Sequence, residues 1–115
     1  MTDKIVQTKS KAFAIRIVKL CQYLKHDKNE HVLSKQILRS GTSVGANIAE
    51  SDYAISKADF VNKTQIALKE AAETKYWLEI LFETQFIDEK QFNSLFVDCE
   101  ELIKLLVAIL KSSKT

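Results

Sequence analysis

Residues 41–45 read Gly41-Thr42-Ser43-Val44-Gly45, the Gly-x-Ser-x-Gly pattern that presents a nucleophilic serine on a strand-to-helix elbow in α/β-hydrolases. That chemistry needs a strand leading in, and an acid and a histidine later in the chain. Here a helical period runs through the motif, and both histidines, His26 and His31, precede it. The stretch is not a phosphate loop either, because the closing Gly-Lys-Ser/Thr is missing. A di-iron centre in a bundle would need Glu-x-x-His on two helices. The residues three before the histidines are Tyr23 and Lys28. Glu70/Glu73 and Glu79/Glu83 are spaced for one helix face, yet Lys69 and Lys75 beside them favour solvated charge. Cys21 and Cys99 lie far apart without a Cys-x-x-Cys partner, at apolar helical positions where a thiol acts as a small hydrophobe. No catalytic, metal-ligating, cofactor-binding or small-molecule site emerges, and the sequence points away from an enzyme.

The elements follow from composition and period. A chain of 115 residues would hold roughly 8 glycines and 6 prolines at average usage; this one has two glycines and no proline. Hairpins and βα turns need such residues, so sandwiches, barrels and most α/β folds are excluded. Apolar residues recur at helical spacing over 9–26, 28–53, 57–84 and 89–112. The first stripe is Phe13, Ile17, Leu20 and Leu24, and the second is Leu33, Ile37, Ser40, Val44, Ile48 and Ser51. Phe60, Thr64, Ala67, Ala71, Leu78 and Phe82 form the third; Leu95, Cys99, Leu102, Leu106 and Leu110 run through the fourth, with Phe92, Phe96, Ile103 and Ile109 alongside. Asp27 with Glu30, Ser56 with Asp59, and Asp88 with Gln91 have capping-box spacing, and Ile55/Phe60 and Ile87/Phe92 sit where hydrophobic staples would close around the last two. Short connections make neighbours antiparallel, which gives a single all-α domain, an antiparallel up-and-down four-helix bundle.

Net charge is +2, too near neutral for a strongly basic nucleic-acid module. The positive excess lies in residues 1–29, where seven basic side chains meet only Asp3 and Asp27. Within that segment Lys9, Arg16, Lys19 and Tyr23 step by 7, 3 and 4 along one edge of the first helix, a stripe suited to phosphate contact. No apolar run marks a signal peptide or a membrane span, so a cytoplasmic protein is expected.

Some apolar residues fall outside the inward arcs. Ile15 and Val18 lie opposite the first stripe, and Ile66, Trp77 and Ile80 share a second flank of the third helix with Glu73. Such a surplus suits an oligomer interface, or else Trp77 lies flat across a groove within one subunit. Gly41 and Gly45 stand four apart on one helical face, each costing up to about 1 kcal/mol of helix stability relative to Ala. Close approach of another helix is the simplest return. Beside them runs a polar track of Gln36, Arg39, Ser43, Asn47 and Glu50, either a network that fixes helix register or a polar site at a subunit junction.

Residues 36–51, QILRSGTSVGANIAES, resemble the signature of the bacterial four-helix bundle family of 23S rRNA intervening-sequence proteins: a Gln, an Arg-bearing turn, Ser-Val/Ile, a small pair, then Asn-Ile-x-Glu. SKADF at 56–60, IALKEAAET at 66–74 and YWLE at 76–79 extend the resemblance from about Lys9 to Lys111. It implies an up-and-down bundle without catalytic motif or cofactor, forming a ring-like homo-oligomer, with pentamers among its relatives. A related branch, the accessory variability protein of diversity-generating retroelements, works with nucleic acid. Together with the basic stripe this yields the expectation of a non-enzymatic oligomer, a pentamer being favoured, that binds RNA or DNA weakly through phosphates. The alternative is a protein-interaction scaffold with no nucleic-acid role.

Overall fold

The computed structural model describes residues 4–113. Its helices are α1 (Lys4–Asp27), α2 (Leu33–Ser51), α3 (Lys57–Glu83) and α4 (Glu89–Ser112), with five residues in each connection. Connections that short turn each helix back along the one before it. At 1.5 Å per residue α3 runs about 40 Å, which accounts for the 46 × 20 × 19 Å envelope. Among the described residues, packing runs around the ring from α1 to α2, α3, α4 and back to α1, with no diagonal pair in contact. The chain is an all-α, antiparallel up-and-down four-helix bundle, and its α1–α4 seam is the most open of the four.

The first helix begins at Lys4, ahead of the expected residue 9, because Val6 and Ser10 continue the Phe13–Ile17–Leu24 stripe into the core. On α3 the inward line takes in Thr74 and Leu81 and leaves Phe60 and Phe82 half-buried. Small residues in the middle of that line let its neighbours come close. Thr74 Oγ1 donates to Ser40 Oγ of α2 at 2.9 Å, and the Cys99 thiol of α4 lies 3.3 Å from Ala71 O.

Turn chemistry corrects two expectations. The second helix starts at Leu33 and not at residue 28, and Asp27 closes α1 instead of capping α2. The cap is Glu30: its carboxylate accepts the N–H groups of Val32 (3.1 Å), Leu33 (2.9 Å) and Ser34 (2.7 Å), and its own backbone oxygen accepts the Ser34 hydroxyl. Three of the orphan donors at the head of a helix are thereby satisfied by one side chain. The chain reaches this arrangement through Asn29, at φ 50°, after which Glu30 N–H donates back to Leu24 O at 2.9 Å. At the far end Gln85, at φ 69°, occupies the left-handed position that ends α3. Its N–H donates to Phe82 O (3.0 Å) and that of Phe86 to Leu81 O (2.9 Å), the paired bonds of a Schellman motif. Neither glycine has a positive φ; Asn29 and Gln85 supply it.

The fourth helix opens on a complete capping box, with Asp88 accepting Gln91 N–H at 2.7 Å and Gln91 Oε1 accepting Asp88 N–H at 2.9 Å. Ile87 beside it is buried. At α3 Ser56 accepts Asp59 N–H, but the Asp59 carboxylate bonds Ile55 N–H, one residue earlier than the box requires. The expected staple at Ile55 is absent, since that side chain is 92% exposed.

Candidate nucleic-acid interface on the first helix

Lys9, Arg16, Lys19 and Tyr23 lie along the edge of α1 that borders α4. The structure pairs the first two across the seam. Lys9 Nζ lies 3.2 Å from Glu101 Oε1, and Arg16 Nη1 lies 2.6 Å from Asp98 Oδ2. Arg16 also donates to Ser94 O at 3.2 Å and, through Nη2, to Ser94 Oγ at 2.8 Å. Lys19 is exposed and has no ion-pair or hydrogen-bond partner among the described residues. Tyr23 is half-buried against the core, with Lys28 Nζ 6.0 Å from its ring centroid. Arg16, Lys19, Leu20, Tyr23, Gln91 and Leu95 line an open surface cavity of about 300 Å³. The stripe is thus a mixed surface in which Lys9 and Arg16 bind α4 and Lys19 stays open to solvent.

The polar track divides between two tasks. Arg39 ion-pairs with Glu70 at 3.2 Å and with Glu73, and Trp77 Nε1–H donates to Glu73 at 2.9 Å. Glu50 pairs with Lys63 of α3 at 2.8 Å. Ser43 instead donates to Arg39 O at 2.6 Å and Asn47 to Ser43 O at 2.8 Å, both turned back on their own helix. Gln36 is exposed. The track therefore joins α2 to α3 within one subunit. Glu70 and Glu73, expected as solvated charge, are its acceptors. Ser43 lies inside a helix with its hydroxyl on a backbone carbonyl, which removes the hydrolase-elbow geometry.

Gly41 and Gly45 face α1. A Cβ on Gly41 would lie 2.8 Å from Ile17 Cγ2 and 2.9 Å from Ile17 Cγ1; one on Gly45 would lie 3.3 Å from Ser10 O. Outside this contact Lys11, Ala14, Thr42, Gly45, Ala46 and Tyr53 border an open groove of about 410 Å³.

Of the residues expected at an oligomer interface, Ile15 is 50% and Val18 39% exposed on α1. Ile66, Trp77 and Ile80 are half-buried, and Trp77 packs against the core beside its bond to Glu73. Through Glu73 the indole is linked to Arg39 of α2. Sequence reasoning missed six further exposed apolar side chains, Ile5 (54%), Val32 (71%), Tyr53 (86%), Ile55 (92%), Tyr76 (54%) and Val97 (64%). Two of them stand in the α2–α3 connection, where no period flags a residue.

Neither cysteine is poised for reaction. Burial pushes the Cys21 thiol up to about 11 and the Cys99 thiol up to about 12. Among the described residues no group of three His, Cys, Asp or Glu could hold a metal ion, and no helix is long and apolar enough to cross a membrane.

The sequence model of the 23S rRNA-intervening sequence protein family matches residues 2–108, which takes in α1, α2, α3 and most of α4. The curated proteins hold no match to the chain. A solved protein of unknown function from the S23 ribosomal protein family of Bacteroides thetaiotaomicron is similar to it at 54% identity with a TM-score of 0.94. That similarity covers 96% of this chain and 99% of the other. With the glycine contact and the 36–51 stretch inside the matched span, the chain belongs to the 23S rRNA-intervening sequence protein family.

Proposed function

We propose that the protein is a non-enzymatic cytoplasmic adaptor, a homo-oligomer with a pentamer favoured, that binds RNA or DNA weakly through phosphates. The observation that carries this is the grouping of Arg16, Lys19 and Tyr23 around one cavity on the open α1–α4 seam, with Lys19 free of a carboxylate. The pairs at Lys9 and Arg16 do not oppose it. Exposed ion pairs contribute about 0.2–1 kcal/mol, so a phosphate can replace a carboxylate at either cation. Ile15 and Val18, exposed on the same helix, supply an apolar surface for a second copy, and a ring would repeat the stripe and multiply a weak contact. The raised thiol pKa values support the non-enzymatic part, since thiolate chemistry is suppressed at neutral pH.

Anisotropy titration of a labelled single-stranded RNA at low salt tests the proposal. Lys19→Gln weakens binding several-fold. Binding untouched by that change, or absent in the wild type, refutes it. The exposed Tyr53, Ile55 and Val97 favour a second reading, a scaffold that offers apolar surface to a protein partner. A well-formed oligomer that shifts neither RNA nor DNA at low salt selects that reading.

A further inference from the structure

Tyr23 stands between two cavities on the α1–α4 side of the bundle. The one already described has Arg16 and Lys19 on its wall; the second, of about 340 Å³, has Lys28, Gln85 and Phe86. Tyr23 and Gln91 line both, so the two form a continuous groove with an aromatic ring at its middle and cations towards each end. That order of groups matches a single strand, in which phosphates alternate with bases that have a free π face. The Tyr23 ring already receives the Lys28 ammonium at 6.0 Å from its centroid, so a ligand can take the same face while Lys28 moves to a phosphate. Gln91 Oε1 is held by Asp88 N–H at 2.9 Å, which leaves the amide NH2 to donate to a base oxygen or a phosphate. Asp88 is the carboxylate in the groove; it is engaged as the cap of α4, with Gln91 N–H bonded to it at 2.7 Å. A paired and stacked base has neither face free, so a duplex cannot set a base on the ring with its flanking phosphates on Lys19 and Lys28 together.

We propose that this groove receives an unpaired nucleotide of single-stranded RNA or DNA, its base against Tyr23 and its flanking phosphates on Lys19 and Lys28. The inference rests on the phosphate-directed function above and narrows it to single strands.

Anisotropy titrations at low salt with a short single-stranded RNA, and with the same strand annealed to its complement, test it on the full chain. The single strand binds more tightly than the duplex. Tyr23→Leu keeps an apolar side chain at the edge of the core but removes the π face, and lowers single-strand affinity about 5- to 150-fold while duplex affinity stays within twofold. Tyr23→Phe keeps the wild-type preference. Should Tyr23→Leu unfold the bundle by far-ultraviolet circular dichroism, Lys28→Gln, at an exposed position, serves instead and weakens the single strand more than the duplex. Equal affinity for the two probes, or a preference that neither substitution changes, overturns the single-strand inference and leaves the phosphate-directed function standing. No binding of either probe overturns both.

Discussion

Gly41 of α2 meets Ile17 of α1 at a distance that admits no side chain: an added Cβ would lie 2.8 and 2.9 Å from the two γ-carbons of a fully buried isoleucine. Ile17 is β-branched, stiff at χ1 and enclosed by the core, so it cannot swing away. The contact sets the α1–α2 spacing, and its energetic consequence differs from that at the second glycine.

Gly41→Ala therefore destabilises the bundle by about 1–3 kcal/mol through overpacking, even though Ala is the better helix former by up to about 1 kcal/mol. Gly45→Ala meets only Ser10 O at 3.3 Å, and the helix-propensity gain offsets most of the strain, so its change is the smaller. Urea denaturation of the two variants compares them directly. Equal midpoints would show that the approach to Ile17 is not what excludes a side chain.

The head of α2 gives a second test. Glu30→Ala removes the acceptor of three backbone N–H groups and costs about 1–3 kcal/mol. Asp27→Ala, at the C-terminal end of α1, changes stability by less than about 0.5 kcal/mol. The reverse ranking in thermal denaturation would return the cap to Asp27.

These two residues show what the sequence makes legible. Caps are local, so the Asp88–Gln91 box is readable from a spacing of three, and the apolar stripes are readable from period. Asp27–Glu30 has the same spacing and is not a box, because Asn29 adopts a left-handed conformation and delivers Glu30 itself to the helix head. At the site, the partners of Arg16 and Arg39 lie 78 to 82 and 31 to 34 residues away. Nothing short of the folded register says that Arg16 faces Asp98, or that Trp77 joins Arg39 through Glu73. Lys19 and Lys9 look alike as letters, and they differ because Glu101 lies opposite only one of them.

The buried thiols give stability a signed dependence on alkaline pH. Folding raises Cys21 to about 11 and Cys99 to about 12 from an ordinary 9.0, so above pH 9 the unfolded chain loses these protons before the folded one does. Stability from this source is complete below pH 9 and is lost as pH rises towards 11–12. A thiol reagent at pH 8 labels the native protein slowly and both cysteines rapidly in denaturant. Rapid labelling of the native chain would contradict the burial.

Assembly is tested by light scattering. The wild type at micromolar concentration gives a multiple of the 13.1 kDa chain mass, and Ile15→Glu with Val18→Glu gives a smaller species with unchanged helicity. Those positions are preferable to Trp77, whose replacement would also break its bond to Glu73. A monomeric wild type would remove the oligomer from the proposed function.

Phosphate contact by α1 is tested most directly by the salt dependence of single-strand affinity, compared between the wild type and Lys9→Gln/Arg16→Gln/Lys19→Gln. Each phosphate neutralised contributes about −0.7 to the log–log slope. The triple variant is expected to bind more weakly and to flatten that slope by up to about 2. A slope identical in the two proteins would contradict a phosphate interface on the first helix.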